Sequence, residues 1–206
     1  ESGYELEATE DHKILTTEGW KEVKDLTIQS KVTIQVGDAW TVRDILPVNP
    51  SDYGLKAENV WSLELGQMLG LLVGDGWLRT GDKNARAGFT FGKGDNESFM
   101  HLKQFTNGIY GKDIKEVVRE DGTIHLSYHG KEFVRFLLDL GVKPCKAKEK
   151  EVPGSIFKAN RNAVIGFLQG IFTADGTIST YEKNKTFYIR LTSKSRKLLN
   201  QVQLLL

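Results

Sequence analysis

The chain has 206 residues, 39% hydrophobic and 27% charged, with a net charge of +1. That length is enough to bury a full core, and no apolar run approaches the roughly 18 residues of a membrane span. Cys145 is the only cysteine, which excludes an internal disulfide and a cysteine zinc cluster. The acidic, polar start ESGYELEATE is no signal peptide, and the single cysteine makes a reducing cytoplasm the expected location.

Residues 4–47 read as β-structure with turns, because YELEATEDHKILTTEGWKEV mixes short alternating runs with Gly19 and polar punctuation. Residues 48–59, VNPSDYGLKAEN, gather Pro50, Ser51, Gly54 and Asn59 and read as a linker. From Ser62, a candidate N-cap, the period turns helical: Leu63, Leu65, Leu69, Leu72 and Val73 share one broad apolar face, and Gly76 ends it. A strand pair follows, its second member AGFTFG (87–92) alternating with Phe89 and Phe91 on one face. NESFMHLKQFTNGIYG has a helical period and ends at glycine. Residues 114–130 form a hairpin pattern with the turn EDG at 120–122, and 131–141 an amphipathic helix. The order is α-β-β-α-β-β-α.

Residues 68–76 read MLGLLVGDG and residues 168–176 read LQGIFTADG, nearly the same phrase 100 positions apart. Self-similarity at a fixed offset implies two copies of one structural unit. The second copy aligns without a gap: Phe89 falls on Ile189, Phe91 on Leu191, and the helix start near Asp95 on Ser195. The count predicts that the last two strands and final helix of the second copy are missing, so that the chain is a fragment.

Each phrase is an apolar helix ending in Asp-Gly. Gly70 with Gly74, and Gly170 with Ala174, are small residues four apart, a spacing that lets two helix backbones approach closely. If the copies pack together, Asp75 and Asp175 meet at the negative ends of two helix dipoles and repel. A hard divalent cation such as Mg2+, held by carboxylates and water, relieves that repulsion. Paired carboxylates clamping metal suit phosphodiester cleavage.

Charge placement points the same way. Residues 1–25 hold eight acids against three lysines, whereas residues 177–206 hold six basic residues against Glu182 alone. A basic back portion suits a polyanion. If Phe89 and Phe91 face the helices, then Arg86, Gly88 and Thr90 face outward. Phe187, Ile189 and Leu191 are expected inward, with Thr186, Tyr188, Arg190 and Thr192 outward. In the hairpin, Lys115, Arg119, His125 and Ser127 are outward candidates. Arginine and lysine contact guanine edges or phosphates, and hydroxyls adapt to either. His125 and His129 lie four apart without a third ligand and are not read as a zinc site. GIY at 108–110 reads as a helix end, the sequons at Asn96 and Asn184 mean little without secretion, and Trp20, Trp40, Trp61 and Trp77 read as packing residues.

The two phrases resemble the paired motifs of the LAGLIDADG (dodecapeptide) homing endonucleases. The resemblance implies an α-β-β-α-β-β-α repeat doubled about a pseudo-two-fold axis, with Asp75 and Asp175 coordinating divalent metal and two sheets saddling the DNA major groove. It also implies that the lysine preceding x-hydrophobic-Pro in KEVPGSI, Lys150, assists at the active site by polarising the attacking water or stabilising the charged phosphorane; Lys148 in the same run KPCKAKEKE is a competitor. The segment ATEDHKILTTEGWKEVKDL is similar to the T-x-x-H block of intein splicing (Hint) domains. There Thr9 and His12 would bond to and protonate a scissile amide, a step suited to histidine.

The expected fold class is therefore α+β: a partial all-β Hint segment (1–47), a linker (48–60), a first LAGLIDADG repeat (61–150) and an incomplete second repeat (151–206). The expected function is an intein-encoded, Mg2+-dependent double-strand endonuclease acting across the minor groove of a long DNA site. It would be a monomer joined in cis to a host protein, with no membrane partner. Splicing is not expected, since the chain starts at Glu1 and stops at Leu206, and QSK stands where the block usually has glycine-aspartate. The rival readings are a DNA- or RNA-binding relative that cuts nothing (a regulator or maturase), a degenerate intein retaining only splicing, and a fragment left inactive by its incomplete second repeat. Two carboxylates held together favour cleavage over simple binding.

Overall fold

The computed structural model describes residues 6–34, 43–81, 83–94, 96–181 and 186–206, with Asn96 and Tyr181 described by backbone alone. Asp95, Trp40 and Asn184 lie outside the described residues. The chain divides into two compact units, Glu1–Trp40 and Thr41–Leu206.

In the first unit, β1 (Lys13–Thr16) and β2 (Gly19–Glu22) pair antiparallel around a two-residue turn at Thr17 and Glu18. The Thr16 hydroxyl, buried, donates to the Gly19 carbonyl at 2.7 Å and accepts from the Glu18 N–H at 3.1 Å, which ties the turn. Trp20 is exposed at 68%, so it is not the packing residue its type suggested.

The second unit is built around two helices. α1 (Leu63–Gly74) starts where the Ser62 hydroxyl accepts from Leu65 N–H at 3.1 Å, the N-cap its sequence called for. Nine of its twelve residues are buried, so it runs through the interior. Next come β3 (Trp77–Arg79), β4 (Arg86–Phe91), α2 (Asn96–Tyr110), β5 (Val117–Val118), β6 (Ile124–His129) and α3 (Lys131–Asp139). The order then recurs as α4 (Arg161–Asp175), β7 (Gly176–Tyr181), β8 (Thr186–Leu191) and α5 (Arg196–Leu205). α4 is capped by the Asn160 side chain, which accepts from Ala163 N–H at 3.0 Å while donating to Asp44 and to the Trp61 carbonyl.

α1 and α4 touch backbone to backbone. A Cβ placed on Gly66 would lie 2.1 Å from the Ala163 carbonyl oxygen, and one on Gly166 would lie 2.0 Å from that of Leu63. A Cβ on Gly70 would stand 2.3 Å from the Phe167 oxygen, and one on Gly170 2.4 Å from the Gln67 oxygen. Each contact recurs with its partners advanced by 100, so the two helices pack in a locally two-fold manner. No side chain larger than hydrogen fits at these four positions.

The first sheet has strand order β3-β4-β6-β5, all antiparallel. Its inner face carries Ala87, Phe89, Phe91, Leu126 and Tyr128, all buried, against Phe99 and Leu102 of α2 and Phe133 and Phe136 of α3. Tyr128 sits edge-on to Phe89 at 6.3 Å and donates to Asn107 at 3.0 Å, so its hydroxyl is satisfied in the core. Residues 48–60 also join this core: a 3-10 turn spans Pro50–Tyr53, and Leu55 is buried.

The β7–β8 hairpin differs from its expectation. Phe187, Ile189 and Ile178 share one face, as the pleat requires, but are 77%, 67% and 72% exposed. Among the described residues only two strands pair here, and α5 buries its Leu198 and Val202 in the main core, which of β8 only the partly buried Leu191 reaches. No helix among the described residues is long and apolar enough to cross a membrane.

The segment between α3 and α4 is fastened to α5. Glu151, 13% exposed, pairs with Lys143 and Lys197, and both ammonium groups hold its carboxyl below the usual range. The Val152 N–H donates to Gln201 Oε1 at 2.8 Å, and the Ser195 hydroxyl donates to the Lys150 carbonyl at 2.6 Å.

Gly166→Ala should lower unfolding stability by about 3 kcal/mol, because the new methyl meets fixed backbone. Gly108→Ala, in α2 with nothing within 4 Å, should raise it by about 0.5–1 kcal/mol; urea unfolding measures both. Because Glu151 has a depressed pKa when folded, its contribution is present above the ordinary glutamate value of about 4.3 and lost as pH falls below it. The gap in urea midpoint between wild type and Glu151→Gln should therefore narrow as pH drops from about 6 to about 3.

Candidate functional site

The two-fold helix contact ends where the chemistry begins. A Cβ on Gly74 would lie 2.3 Å from the Ala174 side chain, one residue before Asp75 and Asp175 respectively. Asp75 is the C-cap of α1, exposed, its N–H bonded to the Leu71 carbonyl at 3.0 Å. Asp175 is the last residue of α4, half-buried, and its carbonyl accepts from Thr192 N–H at 3.4 Å. Both acids therefore stand at the negative ends of their helices. A cleft of about 20 Å3 lined by Asp75, Thr90, Thr173 and Ala174 lies beside the first of them, room for a single water.

Lys150 is half-buried and its ammonium donates to the Gly74 carbonyl, at the end of α1 next to Asp75. A cation there complements the helix dipole. Lys148 instead lies exposed in the turn Ala147–Glu149. The two lysines are separated by backbone alone: Ser195 and Gln201 anchor residues 150 and 152, and that fixes which one faces the helix end.

Among the described residues no group of three or more His, Cys, Asp or Glu side chains could hold a metal ion. A closed, all-protein zinc site does not fit that donor set. Mg2+ does, since it binds through one or two carboxylates and keeps water or substrate phosphate oxygens in its other positions.

The outer face of the first sheet forms an open concavity of about 670 Å3. Arg86, Lys115, Arg119, His125 and Ser127 line it, which brings five of the outward candidates together. Thr90 joins them on the same face, its hydroxyl 3.4 Å from His125 Nδ1. No carboxylate lines the concavity among the described residues. Tyr188 and Arg190 share the polar face of β8, with Arg190 donating to the Tyr188 hydroxyl at 3.1 Å and stacked 5.3 Å from its ring.

Five residues of the concavity, Trp77, Leu78, Arg79, Val117 and His129, were not among the sequence candidates. Trp77 lies on the open face, half-exposed, not in the core as Trp61 does. β3 is three residues long and carries no alternation of its own; counting by twos from Asp75 would have found Trp77 and Arg79 on one face. Ser195 and Gln201 were likewise invisible, because they act through main-chain bonds 45 and 49 residues distant.

In the first unit, Thr9 and His12 are exposed and joined by a turn in which His12 N–H bonds to the Thr9 carbonyl at 3.1 Å. The Thr9 hydroxyl bonds to Asp11 and holds that carboxyl below its usual range.

Three proteins with unrelated names are similar to this chain. The replication factor C small subunit of Methanocaldococcus jannaschii is 29% identical over 181 residues, 87% of this chain and 9% of that protein. The tRNA-splicing ligase RtcB of Pyrococcus abyssi is 28% identical over 231 residues, 96% of this chain and 25% of that protein. A DNA polymerase of a Thermococcus species is 28% identical over 221 residues, 98% and 12% respectively. The chain thus spans a quarter or less of the curated relatives it matches. Among solved structures, a variant of the homing endonuclease I-DmoI, in complex with its target DNA and in the presence of Mn, is 18% identical with a TM-score of 0.48, covering 69% of this chain and 73% of that one. A family model described as LAGLIDADG-like domain matches residues 162–206, so α4, the β7–β8 hairpin and α5 are a LAGLIDADG-like segment.

Proposed function

We propose that this chain is part of an intein carrying a site-specific DNA endonuclease of the LAGLIDADG type. The observation that carries the reading is the Gly74–Ala174 contact directly before Asp75 and Asp175, with the Lys150 ammonium on the Gly74 carbonyl, in a unit whose first sheet has a face lined with cations and, among the described residues, no acid. The family match over residues 162–206 supports the nuclease. The similarity of nearly the whole chain to small portions of a replication factor C small subunit, a tRNA-splicing ligase and a DNA polymerase supports an insert that moves between unrelated hosts.

In this reading the two carboxylates hold Mg2+, which supplies Lewis-acid stabilisation of the phosphate and a more acidic water. The protein residues do the rest. Arg86, Lys115 and Arg119 draw the duplex onto the sheet face and fix its register through phosphates and base edges. Thr90, His125, Ser127, Tyr188 and Arg190 add contacts that adapt to donor or acceptor edges. The α1–α4 contact holds Asp75 and Asp175 at one spacing, so that each scissile phosphate meets carboxylates already in place. The Lys150 ammonium, anchored through its backbone, offsets negative charge accumulating on the phosphate oxygens as water adds to phosphorus and the ester bond breaks. Thr9 and His12 belong to the splicing half of the element, where they assist an acyl shift at the host junction. The chain works as a monomer, since it brings both carboxylates itself.

The test is cleavage of plasmid carrying the host gene without the insert, using the full-length parent protein. Linear product is expected with Mg2+, with at least about a hundredfold loss of rate in Asp75→Asn and in Asp175→Asn while DNA binding persists. Tight binding without cutting, equal in wild type and both variants, would mean a DNA-binding protein in which the aspartates only cap helices.

A further inference from the structure

β3 starts two residues after Asp75, and its first residue is a tryptophan on the open face of the sheet. The antiparallel register sets Trp77 opposite Gly88 and Arg79 opposite Arg86. A Cβ on Gly88 would stand 2.1 Å from Cζ2 and 2.2 Å from Cε2 of Trp77. The indole therefore lies across the strand where only glycine leaves space. The Arg86 guanidinium carbon is 5.2 Å from the ring centroid, and that of Arg79 is 5.7 Å away.

Two arginines directly opposed across an antiparallel pair repel each other. The negative face of the indole relieves part of that repulsion. A carboxylate would relieve more, yet among the described residues none lines this concavity. Arg86 Nε is, moreover, buried with no hydrogen-bond partner among the described residues. Buried there, Nε is out of reach of an outside acceptor, and the donors Arg86 can offer a ligand are those of its terminal nitrogens.

We propose that Trp77, Arg79 and Arg86 form a preset reading element for the duplex, placed beside the cleavage centre. Trp77 is a positioning residue: its ring holds the Arg86 guanidinium in one plane, aimed into the concavity. Arg86, on an inner strand, reads a guanine edge, whose O6 and N7 match the planar fork of an arginine. Arg79, on the edge strand, takes the neighbouring phosphate as a charge contact. The sequence position follows from the chain path, because Trp77 lies two residues from Asp75 and lines a cleft shared with Lys150. The base read by Arg86 is consequently one near the scissile bonds. This inference rests on the DNA-binding reading above and adds to it which residues set the preference.

The experiment is selection of bound duplexes from a randomised pool by the full chain without Mg2+, followed by sequencing. It is run on wild type, Arg86→Lys, Trp77→Leu and Trp77→Phe, beside a salt titration on one fixed mixed-sequence duplex. Arg86→Lys keeps the charge and removes the fork. It should lose a guanine preference of about tenfold at one or two positions, while the slope of affinity against salt stays as in wild type. Trp77→Leu should lose the same preference at the same positions, and Trp77→Phe, which keeps an aromatic face, should retain most of it. Lys115→Ala provides the contrast: its salt slope should fall by about one, with preferences unchanged. Wild-type preferences in both Arg86→Lys and Trp77→Leu would overturn the reading element and leave the DNA-binding interface standing. A wild-type chain that enriches no sequence would overturn the site-specific reading itself, and this element with it. Should Trp77→Leu not fold, Arg86→Lys and Trp77→Phe decide the matter on their own.

Discussion

Everything in the second unit depends on the direct backbone contact between α1 and α4. Four glycines, Gly66, Gly70, Gly166 and Gly170, let each helix seat against the other's peptide groups. Glycine inside a helix costs about 1 kcal/mol relative to alanine. The dense packing that replaces the missing side chains offsets this through many weak dispersion contacts. Because the contact is locally two-fold, sliding one helix by a turn would break all four seats together. The register is thus fixed, and with it the level at which both helices end. β3 and β7 leave from that same level, so the position of each hairpin is inherited from the helix pair.

The same register works against stability at its lower end. Asp75 and Asp175 each stand at a helix C-terminus, where the partial negative charges of the last carbonyls disfavour a carboxylate. The Lys150 ammonium on the Gly74 carbonyl is the local compensation. It is held there from the far side: Ser195 is buried, caps α5 by accepting from Leu198 N–H at 3.1 Å, and donates to the Lys150 carbonyl at 2.6 Å. With Glu151 between two lysines and Val152 on Gln201, three successive residues are tied to one helix. A flexible side chain gains a defined direction because its main chain has none to choose.

Much of this was legible because it is local or periodic. The phrase repeated at an offset of 100 located both helices, Ser62 marked a start, and the small residues marked the contact. Alternation along Arg86–Phe91 sorted Phe89 and Phe91 from Arg86 and Thr90, since the pleat leaves no other arrangement. What stayed hidden depends on partners distant in sequence. The burial of Phe187 and Ile189 cannot be read from their own strand, because alternation says which residues share a face and not whether a layer covers it. Trp77 looked like core material by type, yet its place is decided by pairing with Gly88 across a loop. Lys148 and Lys150 have the same chemistry in the same run, and only bonds to α5 tell them apart.

Arg79 and Arg86 on the sheet are held differently from the carboxylate-paired lysines of this unit, and the difference bears on what the face can do. Lys103 meets Glu116 at 2.6 Å, and Lys143 and Lys197 meet Glu151. Each of those ammonium groups is positioned by the group that neutralises it. Arg79 and Arg86 are positioned by an indole instead. A carboxylate takes a guanidinium edge-on and occupies its donors in the plane. An aromatic ring takes it by the face and leaves the in-plane N–H groups directed outward. Ring stacking therefore separates holding an arginine from neutralising it. On a surface that must stay cationic and yet present donors in a fixed plane, it is the arrangement that satisfies both requirements. A whole-chain charge of +1 conceals this entirely, because it sums every acid and base without regard to where they lie.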